Sequence, residues 1–161
     1  MLACTVAVAV ACSGGSDTLD GKDVEQAISK QLRTDFTGSP IGSTKCPKEV
    51  KKKTGGEFEC TATVGNEPVP IAVMQTEKDP GYRVERRVAV LDVAKVQDFV
   101  QTQYDQTVGV QVTAACAPGK AVLVAAPQTT ISCTVTDSVG TTDTVEVLVN
   151  DSSGNISIGT I

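Results

Sequence analysis

The sequence predicts an α+β protein: two tandem modules, each one helix packed on a small antiparallel β-sheet with one disulfide. Three observations lead there. Four of the six cysteines fall into two pairs, Cys46 with Cys60 and Cys116 with Cys133, at matching places in the two halves of the chain. Each pair follows a stretch whose apolar residues recur at helical spacing. Each is followed by runs in which apolar and polar residues alternate, the pattern of a strand with one buried face. Such self-similarity argues for one unit used twice. The expected division is a signal segment at 1–12, a polar tether at 13–20, a first module at 21–91 and a second at 92–161.

The first elements to justify are at the N-terminus. Residues 2–11 are small and apolar and end at Ala9-Val10-Ala11-Cys12, before the polar Ser13-Gly14-Gly15-Ser16. The run is too short to span a bilayer as a helix and has the length of a signal-peptide core. The residues before Cys12 resemble a bacterial lipobox, which implies lipidation of Cys12 and a membrane anchor. No Lys or Arg precedes Lys22, so the signal reads as truncated, with the true start upstream of Met1. The competing reading makes residues 2–11 a buried strand and pairs Cys4 with Cys12. Cysteine arithmetic favours the lipoprotein: one cysteine leaves with the signal, one carries lipid, and four remain for two bridges.

In the first module Val24, Ala27, Ile28 and Leu32 make a helical stripe, with Asp20 or Asp23 as its cap. Gly38-Ser39-Pro40 ends it. Pro47, directly after Cys46, suits the first position of a short helical turn over 48–53, stopped by Gly55-Gly56. Phe58, Cys60, Ala62 and Val64 then alternate, as do Val69, Ile71 and Val73. A third strand is expected over 82–91, with Val84, Val88 and Val90 in phase. Gly65-Asn66 and Asp79-Pro80-Gly81 are the turns.

The second module repeats the order. Val93, Val96, Val100 and Tyr104 form the helical face, supported by Phe99, and Val110 and Val112 lead to Cys116. Ile131, Cys133 and Val135 alternate, then Val145, Val147 and Val149, then Ile156 and Ile158. In both modules the second cysteine lies on the apolar side of a strand and the first sits just past the helix. A bridge closing so short a loop stabilises by about 3 kcal/mol, a large share for a module near the lower size limit of independent folding.

The Cys46-Pro47 and Phe58-Glu59-Cys60 motifs resemble those of an uncharacterised domain family found on actinobacterial lipoproteins. The second module departs from it, with Cys116-Ala117-Pro118 and Ile131-Ser132-Cys133. The resemblance covers nearly all the chain after Gly21. It implies placement on the outer face of the cell membrane and no particular activity.

Composition narrows the function classes. The net charge is −5 with no histidine. Residues 92–161 hold two basic against seven acidic side chains, while 1–91 are balanced. An acidic chain with five aromatics is a poor partner for nucleic acid. The cysteine spacings lack the close pairs of zinc or thiol-redox sites, so no metal or cofactor is expected. Without histidine, a serine nucleophile needs a lysine or carboxylate base. Ser29-Lys30 and the Glu57, Glu59 pair read as solvated surface, and no catalytic residue is expected. The most pointed feature is a cluster of Lys45, Lys48, Lys51, Lys52 and Lys53, a candidate contact for anionic lipid or a wall polymer. Its plainer reading is a solvated turn; Arg83, Arg86 and Arg87 extend it if the fold brings them near. The expected role is a non-enzymatic binding or structural module of the envelope, with an envelope protein, lipid or polymer as partner. The alternative is an inhibitor-like module that presents a disulfide-tied loop, 46–60 or 117–132, with the apolar stretch 121–127 as its contact.

Overall fold

A computed structural model of the protein describes residues 17–78 and 81–159. Cys4, Cys12, the signal segment and Asp79-Pro80 of the second expected turn lie outside the described residues.

The chain opens with a short strand, β1 (Thr18–Asp20), whose last residue caps helix α1 (Gly21–Asp35). The Asp20 carboxylate accepts from the Lys22 N–H at 2.9 Å, satisfying one of the free donors at the helix start. Val24, Ile28 and Leu32 are the buried stripe of α1. β2 (Ile41–Lys45), β3 (Glu49–Lys51), β4 (Glu57–Val64), β5 (Glu67–Gln75) and β6 (Tyr82–Arg86) follow. β2, β4, β5 and β6 form an antiparallel four-stranded sheet in the order β2-β4-β5-β6. β1 and β3 make a separate two-stranded ribbon.

The second module has the same order. β7 (Ala89–Asp92) leads into α2 (Val93–Val108), then β8 (Val112–Cys116), β9 (Val122–Ala125), β10 (Thr130–Asp137), β11 (Thr142–Val149) and β12 (Ile156–Ile158). Its sheet runs β8-β10-β11-β12, and β7 and β9 make its ribbon. Asp92 caps α2 by accepting from Ala94 N and Lys95 N. Gly109 closes the helix in the left-handed conformation, φ 75°, its N–H donating to the Asp105 carbonyl, as C-terminal glycines do.

Both disulfides form, Cys46 to Cys60 and Cys116 to Cys133, each with its Cα atoms 4.3 Å apart. Each bridges neighbouring strands: Cys133 is directly opposite Cys116, and Cys60 follows the same register beside Thr61 and Lys45. The extended pieces after the helices are therefore edge strands of the sheets. Helix and bridge are further tied by one hydrogen bond in each module: Cys46 N donates to Glu25 Oε1 at 2.8 Å, and Cys116 N to Gln97 Oε1 at 3.2 Å.

Three expectations change. The short helical turn over 48–53 is instead strand β3, because its backbone pairs with β1, Leu19 opposite Val50. Residues 18–20, assigned to the tether, are that partner strand. The strand expected over 82–91 breaks at Arg87-Val88; β6 stays with the first sheet and β7 pairs with β9.

That break joins the two modules. Alternate residues of the β7–β9 ribbon face opposite ways. Ala89, Leu91, Leu123 and Ala125 pack into the core of the second module. Val90, Val122 and Val124 pack into the core of the first, beside Ile28, Val64 and Val69. Lys120 pairs with Glu67 at 3.0 Å across the same junction. One ribbon thus serves two cores.

Candidate functional site

The lysine cluster runs from the end of β2, which holds Lys45, through the first ribbon. Lys51 lies on β3 opposite Thr18, and Lys52 N donates to the Asp17 carbonyl at 2.7 Å. The ribbon is held to the far end of β5 by Gln75, the one polar side chain fully buried among the described residues. Its Oε1 accepts from Lys53 N at 2.8 Å and its Nε2 donates to the Lys51 carbonyl at 3.1 Å. A buried amide with both ends bonded avoids the penalty of unpaired polar atoms, and it fixes the backbone at Lys51 and Lys53.

All five lysines are exposed. Lys52 and Lys53, with Lys78 three residues past β5, border an open cleft of about 480 Å³ that also takes in Leu19, Thr54, Thr76 and the acidic Glu77. Lys45, Lys48 and Lys51 stand outside that cleft. Lys78 was not anticipated; the turn that returns it beside Lys53 is a tertiary feature with no local sequence mark.

The arginines do not extend this surface. Arg86 lies over the Phe36 ring, 4.9 Å from its centre, and approaches Asp35 at 3.7 Å. Arg87 pairs with Glu57 at 2.5 Å, and Arg83 approaches Glu85 at 3.7 Å. Each is engaged by a neighbouring acid. Glu57 is therefore an ion-pair partner, and Glu59 is exposed on the same strand face. Ser29 Oγ is 2.9 Å from Thr44 Oγ1, a hydroxyl with no basic character.

Position along β5 separates the charges. Gln75, at one end, holds the lysine ribbon. Glu67, at the other, meets the second module through Lys120, and a Cβ on Gly65 in the adjacent turn would touch Val122. Nine residues of strand put roughly 26 Å between them. The basic ribbon and the acidic module sit at opposite ends of the first sheet.

The loop readings separate as well. The stretch 121–127 is not a presented loop: Val122 is 1% exposed and the strand β9 is paired with β7 between the two cores. Ala121 and Ala126, on either side of β9, are exposed. No group of His, Cys, Asp or Glu that could hold a metal occurs among the described residues, and no helix among them is long and apolar enough to cross a membrane.

No curated protein and no solved structure matches the chain. A family model described as a domain of unknown function (DUF4333) matches residues 5–80, which run to just beyond the end of β5.

Proposed function

We propose that the protein is a cell-envelope lipoprotein, lipidated at Cys12 and held on the outer face of the membrane, acting as a non-enzymatic binding or structural module. Its basic ribbon then faces anionic headgroups. The observation that carries this is the junction of Lys52 with Asp17: the chain reaches the lipobox from the ribbon that bears the lysines. A tether and a basic patch at one place reinforce each other, since a single lipid signal gives weak anchoring alone. Two disulfides fit an oxidising compartment.

Residues 92–161 are, in this reading, a second copy of the domain matched over 5–80, of the kind borne by actinobacterial lipoproteins. Support comes from equivalent parts: the capping Asp20 and Asp92, Glu25 and Gln97 on the cysteine N–H groups, and the two bridged strand pairs.

Intact mass of the protein from its native membranes tests the anchor. The expected species begins at Cys12, carries acyl mass and gains four hydrogens on reduction; an unacylated chain with free thiols would sink the proposal. Vesicle binding tests the ribbon. A chain starting at Asp17 is expected to bind phosphatidylglycerol vesicles and not phosphatidylcholine. Replacing Lys51, Lys52 and Lys53 by Gln is expected to weaken binding by about 3 kcal/mol at low salt, at about 1 kcal/mol per lysine. Unchanged binding would assign these lysines to solubility alone.

A further inference from the structure

Three large apolar side chains stand exposed among the described residues: Val108 at 46%, Val110 at 41% and Val139 at 84%. All three lie at one end of the second module. Val108 and Val110 line a groove of about 130 Å³ with Tyr104, Val112, Val135 and Asp143. Val139 sits in the β10–β11 turn, whose Asp137 and Thr141 border the same groove. Scattered single apolar residues need no explanation, but a cluster around a groove marks a contact surface.

The first module shows what such a groove holds. Register from the bridged strands identifies equivalent positions. Ala62 opposite Val69 follows Cys60 opposite Ile71; Val135 opposite Asp143 follows Cys133 opposite Val145. Ile41 pairs with Val64, as Val112 pairs with Asp137. Leu32 and Tyr104 stand at the same distance from the capping Asp20 and Asp92. In the first module Val90, Val122 and Val124 of the β7–β9 ribbon pack into one cluster with Leu32, Ile41, Ala62, Val64 and Val69. In the second the groove is open among the described residues, and the valines that flank the ribbon, Val64 and Val69, are replaced by Asp137 and Asp143.

We propose that the open end of the second module docks a protein partner that lays an extended β segment into the groove, with β-branched side chains inward and a lysine or arginine at its edge. The valines take the apolar face, as they do at the internal junction. Asp137 and Asp143 select the basic edge, because like charges placed opposite cost affinity. A second copy of this chain is a poor occupant. Its β1–β3 ribbon has Thr18, Glu49 and Lys51 where the docked ribbon has Val90, Val122 and Val124, as the pairings of Asp20 with Glu49 and Asp92 with Val122 show. The inference stands on the groove and does not depend on lipidation.

The test uses the full chain, isotope-labelled, and two cyclic hairpin peptides with the same valine face, one edged with lysine and one with glutamate. Amide shifts are expected at Tyr104, Val108, Val110 and Val135, with the lysine peptide binding about tenfold more tightly. Val110→Asp is expected to abolish the shifts and Asp143→Lys to reverse the preference. Shifts elsewhere or none, or equal affinity for both peptides, would overturn the proposal. So would shifts at these residues that follow protein concentration without peptide, which would make a second copy the occupant.

Discussion

At the scale of single residues, Gly65 shows how a local signal and a tertiary demand meet. With Asn66 it forms the β4–β5 turn, φ 54° and 72°, the conformation that tight hairpins require. That much is legible as a Gly-Asn pair between two alternating runs. The sequence does not show that a Cβ at this position would lie 2.6 Å from Val122 Cγ2 of the other module. Gly65→Ala is expected to lower stability by about 1–3 kcal/mol, while Gly38→Ala, with nothing within 4 Å, changes it by less than about 0.5 kcal/mol; urea unfolding compares them. Asp151 makes a second residue-scale case. The Asn155 side chain, then the Asn155 and Ser153 N–H groups, hold its carboxyl below the usual carboxylate range. A lowered folded value means that the contribution is full above the unfolded value and is lost as pH falls through the folded one. Asp151→Asn is expected to be less stable than the parent at neutral pH and to converge with it in strong acid. A constant difference across that range would show that the carboxylate charge plays no part.

At the scale of elements, periodicity was reliable where one face is buried by its own module. The stripes of α1 and α2 and the alternation in β4, β5, β10 and β11 are all found as read, because burial forces apolar residues onto one side. β3 was misread. Its three residues, Glu49, Val50 and Lys51, are too few for a pattern, and Pro47 offered a plausible helix start; pairing with a strand some thirty positions earlier in the chain decided the outcome. The helix-to-bridge hydrogen bonds were also illegible, since neither Glu25 nor Gln97 differs in sequence from a solvated helix residue. Glu25→Ala and Gln97→Ala each leave a cysteine N–H unpaired. Each is expected to cost about 1–3 kcal/mol. Removing the second bridge by Cys116→Ser with Cys133→Ser is expected to cost about 3 kcal/mol, read as a lower urea midpoint.

At the scale of the whole molecule, the β7–β9 ribbon makes the two modules one folding unit. Val122 is buried in the first core while its neighbour Leu123 packs in the second. The parent is therefore expected to unfold in one transition. Val122→Asp puts a charge into an apolar junction without a partner, which is strongly unfavourable. It is expected to split the transition into two, the first module melting earlier; a single unshifted transition would show that the modules are independent. The lysine ribbon meets one end of β5 through Gln75, and the acidic module meets the other through Glu67.

What the sequence by itself determined were the fold class, the paired bridges, the apolar stripes of the two helices and the faces of the longer strands. Each depends on neighbours within one module, so each leaves a local period or spacing. Tertiary structure alone decided which strands join into ribbons, that Val122–Ala125 pair between the two cores, that the arginines are engaged by acids, and that Val108, Val110 and Val139 meet at one open end. Those outcomes arise where residues distant in the chain compete for the same surface. Ala89-Val90-Leu91 and Val122-Leu123-Val124-Ala125 are apolar at every position, as strands buried on both faces are, but so short a run does not say which core each face meets.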